Sequence, residues 1–138
     1  MSTPIGPYTP IVRAGPWLIC SGQLGLRQAP ATDAPDSADP GGAVDPAPPA
    51  LVDGGAAEQL TQALANAERL LRSCGSAATD VVKTTVFVTD MNEYAAVNEA
   101  YSAFFGEHRP ARSVVGVAGL PMGAAVEIEL WAYPAHRQ

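Results

Sequence analysis

An α+β domain, a mixed β-sheet with two helices packed on one face, is the fold class this sequence predicts, and three stretches carry the prediction. "VVKTTVFVT" (81–89) is β-branched almost throughout, which favours a strand inside a sheet. Residues 56–74 place Leu60, Leu64, Ala67, Leu71 and Cys74 four and three apart, the spacing of one buried helical stripe. Residues 125–133 alternate strictly, with Val126, Ile128, Leu130 and Ala132 on one face and Ala125, Glu127, Glu129, Trp131 and Tyr133 on the other.

From the N-terminus, Ile11-Val12 and Trp17 to Ser21 flank Ala14-Gly15-Pro16 and predict a hairpin. Arg27 to Gly55 is rich in Pro, Ala, Asp and Gly and has little to bury. It is expected to be a mobile surface insertion in one domain spanning 1–138. The helix over 56–74 ends at Gly75. In the strand over 81–89, Val82, Thr84, Val86 and Val88 are assigned to one face. Asp90 then caps a second helix with Glu93 as its capping-box partner, and Tyr94, Val97, Tyr101 and Phe104 form the expected buried stripe. Strands over 112–117 and 125–133 follow, joined by "GLPMGA", whose Pro121 and Gly123 suit a tight turn.

Arg112 stands at the mouth of an apolar strand, and a guanidinium is always charged. Its position therefore calls for a carboxylate or phosphate, from the chain or from a ligand. Alternation puts Arg112, Val114 and Gly116 on one face and Ser113, Val115 and Val117 on the other. The two valines of the second set are assigned to the helices, so Arg112 is expected on the far side, with Glu127 and Glu129. Carboxylates mixed with Trp131 and Tyr133 on one sheet face predict a contact surface and hence an oligomer.

The chain has 138 residues, 47% of them hydrophobic, which fits one domain with a real core. No apolar run is long enough to cross a bilayer and no secretory signal pattern opens the chain, so a cytoplasmic protein is expected. A net charge of −6 with scattered bases argues against phosphate-backbone binding as the main role. Cys20 and Cys74 read as buried reduced thiols, and His108 and His136 have no metal-binding spacing, so no metal is expected.

"IGPY" (5–8), "SGQ" (21–23), "DVVKTTVFVTDMNEYAAVNEAYSAFF" (80–105), "PARS" (110–113), "LP" (120–121) and "VEIE" (126–129) occur in an order that resembles the reactive intermediate deaminases, the RidA or YjgF-like family. The resemblance covers nearly the whole chain outside the Pro-rich insertion. It implies a chorismate-mutase-like fold with a six-stranded or similar sheet, and a homotrimer with sites in the clefts between subunits. It also implies cofactor-independent hydrolysis of enamines and imines such as 2-aminoacrylate to 2-oxo acids and ammonia.

Carried over residue by residue, the resemblance implies that Arg112 binds the substrate carboxylate and Glu127 handles protons at the attacking water. Tyr8, Ser21 and Asn98 line the cleft, Ser21 and Asn98 as polar groups that either orient substrate or hold the site together, and Val114 offers a backbone N–H. Asn98 also shares a helical face with Tyr94 and Tyr101, which suits a structural hydrogen bond equally. The chain departs from the family where Val114 replaces a cysteine, where Gly119 replaces an arginine, and in the long insertion. Substrate range is therefore open. Two other readings stand beside the deaminase: a small-carboxylate binding or regulatory protein without turnover, and an endoribonuclease or translation inhibitor.

Overall fold

A computed structural model describes residues 6–28 and 49–134. Its sheet has five strands, β1 (Ile11–Ala14), β2 (Trp17–Leu24), β3 (Val81–Val88), β4 (Ala111–Gly116) and β5 (Val126–Ala132), in the order β1-β2-β5-β3-β4. Every pairing is antiparallel except β3 with β4, which run parallel. The two helices are α1 (Ala56–Ser73) and α2 (Tyr94–Phe105). Five strands are found among the described residues, where six or similar were implied.

The chain reaches these elements for local reasons. Gly15, at φ +60°, turns the β1–β2 hairpin, a conformation that costs an L side chain energy. At the start of α1, two carboxylates meet backbone donors: Glu58 accepts from Gly55 N at 2.8 Å and Glu93 from Ala56 N at 3.4 Å. The helix closes in a Schellman pattern, with Ser76 N donating to Leu71 O and Gly75 at φ +78°. Glu93 is thus not the capping-box partner expected for the second helix. Asp90 caps a short 3-10 turn, Met91–Glu93, through Asn92 N, and the Glu93 side chain crosses to α1 instead.

Leu60, Leu64, Ala67 and Leu71 of α1 pack with Val97, Tyr101 and Phe105 of α2 on one side of the sheet. Beneath them lie Leu18 and Cys20 of β2, Val86 and Val88 of β3, and Val126, Ile128, Leu130 and Ala132 of β5. The alternation expected for β5 is borne out. Three assignments are corrected. A register shift between Val81 and Lys83 turns Val82 out to solvent and puts Val81 in the core. On α2, Phe105 rather than Phe104 is fully buried, and Tyr94 is exposed. Cys74 is only half-buried, whereas burial pushes the Cys20 thiol up to about 12, with the Cys74 charge adding to the effect.

β4 and β5 follow one another in sequence but do not pair, because β3 lies between them. The tight turn at Pro121–Gly123 therefore carries the chain past the end of β3 rather than closing a hairpin. At the ends of the insertion, Leu26 bridges Leu51, Arg27 N donates to Ala50 O and Val52 N to Gly25 O. The remainder of the predicted mobile loop, 29–48, lies outside the described residues. Among the described residues, no helix is long and apolar enough to cross a membrane.

Candidate active site

β3, α2 and β4 form a β-α-β crossover, and such a helix packs over the two strands it connects. Whatever β4 presents on its covered side consequently meets α2. The register pairs Thr84 with Arg112, and Thr84 is fully buried beneath the helices. Arg112 therefore points to the helix side, not to the side of Glu127 and Glu129 that the valine count indicated. Counting valines misleads on this edge strand because α2 offers polar partners there, while Val115 sits 41% exposed on the open face.

Three side chains of α2 hold the guanidinium. Arg112 Nη1 donates to Asn98 Oδ1 at 2.8 Å and Nη2 donates to the Tyr94 hydroxyl at 3.2 Å. Its central carbon lies 4.8 Å from the Tyr101 ring centroid and 5.8 Å from that of Tyr94, within cation–π range. The Tyr101 hydroxyl shares a buried 2.7 Å hydrogen bond with Thr84. Burial raises the Tyr101 phenol above its usual range, opposed by the Thr84 hydrogen bond and the charges of Arg112 and Arg109. Among the described residues every partner of Arg112 is neutral, so none of them compensates its charge. A cleft of about 360 Å³ opens beside it, lined by Asn98, Tyr101, Ser102, Arg109, Pro110 and Arg112.

A second group gathers on the open face. Between Cys20 and Gln23 the β2–β5 register shifts, and Gly22 lies against the Glu127 carboxylate. A Cβ at Gly22 would sit 2.5 Å from Glu127 Oε2. Ser21 fastens the incoming chain, its N–H donating to Pro10 O at 2.8 Å and its hydroxyl to Thr9 O at 2.6 Å, and the exposed Tyr8 follows from that tether. Burial first, and the neighbouring Glu129 second, hold the Glu127 carboxyl above the usual carboxylate range.

The expected site residues thus fall into two groups on opposite sides of the sheet. Arg112 and Val114 of β4 face α2, which carries Asn98, with Val114 half-buried against the core. Ser21 and Glu127 belong to the other group, and Tyr8 lies exposed just before the Thr9 tether. Sequence reasoning passed over Tyr94, Tyr101, Arg109 and Gly22 as site residues. The first two were signalled by their spacing from Asn98, four before and three after, which puts all three on one face of α2. No group of three His, Cys, Asp or Glu side chains among the described residues could hold a metal ion.

Fold and site together define a small α+β protein with an arginine held by neutral side chains at a cleft and, on the other sheet face, a carboxyl that burial holds above the usual carboxylate range. The family model of Endoribonuclease L-PSP matches residues 1–134, and the chain belongs to that family, the YjgF/RidA proteins. It is 36% identical to a RutC family protein of Pyrococcus horikoshii over 94% of this chain and 89% of that one. It is also 38% identical to the human 2-iminobutanoate/2-iminopropanoate deaminase, over 91% of this chain and 78% of that one. The crystal structure of the YjgF gene product of E. coli superposes with a TM-score of 0.74 at 37% identity, covering 98% of this chain and 91% of that one.

Proposed function

We propose that this protein is a cytoplasmic, cofactor-independent deaminase that hydrolyses 2-imino acids and their enamine tautomers, such as 2-aminoacrylate, to 2-oxo acids and ammonia. The observation that carries this reading is Arg112, fixed by neutral partners at the edge of a cleft with its charge uncompensated. A planar fork of this kind takes a carboxylate through two parallel hydrogen bonds. The deaminase name borne by the mammalian relatives supports the same chemistry.

The reaction needs two services. The α-carboxylate must be held so that the C=N carbon faces water, which converts an encounter into a positioned reaction. A group must then carry both protons of the attacking water to nitrogen, the first as the carbinolamine forms and the second, from its hydroxyl, as the C–N bond breaks, so that the carbon becomes the ketone and the nitrogen leaves as ammonia. Arg112 supplies the first service. Glu127, whose carboxyl burial and the neighbouring Glu129 make more basic than an ordinary carboxylate, supplies the second. Asn98 orients Arg112, Ser21 anchors the chain that carries Tyr8 beside Gly22, and Val114 contributes backbone on the outer edge strand.

Because Arg112 and Glu127 lie on opposite sides of the sheet, the reading requires two copies of the chain. One copy brings Arg112 and the next brings Glu127, a head-to-tail contact that closes as a ring, which we propose is a homotrimer. The open sheet face favours such a contact: Trp131 is 40% exposed and stacks edge-on against Trp17 at 5.8 Å, with Tyr133 4.9 Å from Trp17. The endoribonuclease reading draws on the family's name alone, since the acidic chain offers scattered bases.

Ammonia release from freshly generated 2-aminoacrylate tests the activity. Wild type accelerates it, and Arg112→Ala returns it to the spontaneous rate; wild type that leaves the spontaneous rate unchanged sinks the proposal. Subunit mixing tests the divided site. Arg112→Ala and Glu127→Gln are each inactive, but refolding them together restores activity if one site draws on two copies. No restoration means that each protomer works alone.

A further inference from the structure

The cleft beside Arg112 contains a second guanidinium, that of Arg109, two residues before Ala111 at the start of β4. Arg109 Nη1 donates to the carbonyl oxygens of Gly106 and His108, which pins the side chain to the turn after α2. Its Nε and Nη2 have no acceptor among the described residues. Neither arginine of the cleft has a carboxylate partner there; the ion pairs found are Arg27–Asp53 and Arg72–Glu68, both elsewhere. Two uncompensated cations in one cleft repel each other. In a chain with 14 acidic and 8 basic residues, that is an uncommon place to concentrate positive charge.

The arrangement acquires a reason if the ligand carries two negative groups. A bridging dianion relieves the repulsion and pairs both forks, whereas a monocarboxylate leaves Arg109 unmatched. Ser102, exposed, lines the same cleft and adds a hydroxyl to it.

We propose that Arg109 is a specificity determinant that reads a side-chain carboxylate, so that the preferred substrates are 2-imino dicarboxylates. Arg112 takes the α-carboxylate, which rests on the deaminase reading above. The selectivity itself belongs to Arg109.

Calorimetric titration of the full-length protein with two product acids tests it. Wild type is expected to bind 2-oxoglutarate about tenfold more tightly than 2-oxobutanoate, as a second charge-assisted pair allows. In Arg109→Gln the ratio falls to about one, and Arg109→Lys, which keeps the charge but not the fork, lies between. Equal binding of the two acids by wild type, or a tenfold ratio that survives Arg109→Gln, overturns the proposal. Failure of the deaminase reading is separable. If no imine is hydrolysed and the dicarboxylate ratio still depends on Arg109, catalysis is wrong and the specificity stands; if monocarboxylic imines are hydrolysed with no such ratio, only the specificity is wrong.

Discussion

Arg112 of β4 and Asn98 of α2 are joined by a 2.8 Å hydrogen bond between Nη1 and Oδ1, across the seam where the crossover helix covers the edge strand. The amide is neutral, so it positions the guanidinium without neutralising it. Asn98→Ala removes the acceptor and frees the guanidinium to swing. Loss of a hydrogen bond to a charged group is worth about 1.5–3 kcal/mol, which predicts a fall in kcat/KM of roughly tenfold or more. Asn98→Asp separates positioning from charge. It holds the arginine at least as firmly but pairs with it, so KM for 2-iminobutanoate is expected to rise further than in Asn98→Ala while thermal stability does not fall. Comparison of KM and Tm for the two variants checks this, and a lower KM in Asn98→Asp would remove carboxylate capture as the role of Arg112.

Behind the arginine, Thr84 and Tyr101 share a hydrogen bond with both residues buried. Thr84→Val and Tyr101→Phe each preserve shape but strand the other hydroxyl, at a cost of about 1–3 kcal/mol apiece. The double variant removes both polar groups and is expected to be less destabilised than the sum of the singles. Denaturant melts of the four proteins measure that coupling. Strict additivity would mean that the two hydroxyls find separate partners and that Tyr101 is not held in place beneath Arg112 by Thr84.

The sequence announced most of this architecture wherever one face of an element was uniformly apolar. The stripe of α1 and the alternation of β5 are examples, and the core follows them. It misplaced Arg112 because alternation specifies two faces but not which one meets the helices. Two valines outweighed one, yet the polar stripe Tyr94, Asn98 and Tyr101 on α2 was the complementary signal. A single-residue register shift, invisible in composition, turned Val82 outward. Arg112 and Glu127 were recognisable as residue types, but their separation by the sheet depends on the register that pairs Arg112 with buried Thr84, a tertiary fact.

Glu127 and Glu129 lie on the same face of β5, and their proximity sets a pH dependence. Burial of Glu127 and the neighbouring charge both disfavour ionisation, so the acid limb of kcat/KM should fall above the ordinary carboxylate range. Glu129→Gln removes the second cause and leaves the first. The limb is expected to move to lower pH without disappearing, because the base then stays ionised in more acidic solution. For stability, the folded protein holds the Glu127 proton more tightly than the unfolded chain. Stability thus declines as pH rises from the unfolded carboxylate value through the raised folded one. Glu127→Gln should therefore lose turnover without losing stability at neutral pH. A limb that stays put in Glu129→Gln would assign the titration to another group.

Gly22 offers the most local test of Glu127. A Cβ there would lie 2.5 Å from Oε2 and 2.8 Å from Cδ, closer than packed atoms approach, and what it meets is the end of a side chain rather than backbone. Gly22 has no positive φ, so alanine fits its backbone conformation and the carboxylate must be the part that moves. Gly22→Ala is accordingly expected to fold with a Tm near that of wild type. Displacement of a catalytic group by about 1 Å can cost on the order of 100-fold in rate, and the loss should appear in kcat with little change in KM, since Arg112 is untouched. Gly25 provides the contrast. A Cβ there would come within 2.4 Å of the Gln59 carbonyl oxygen, part of the α1 backbone, so Gly25→Ala should lower Tm. If Gly22→Ala keeps full kcat, the position of the Glu127 carboxylate does not limit the reaction.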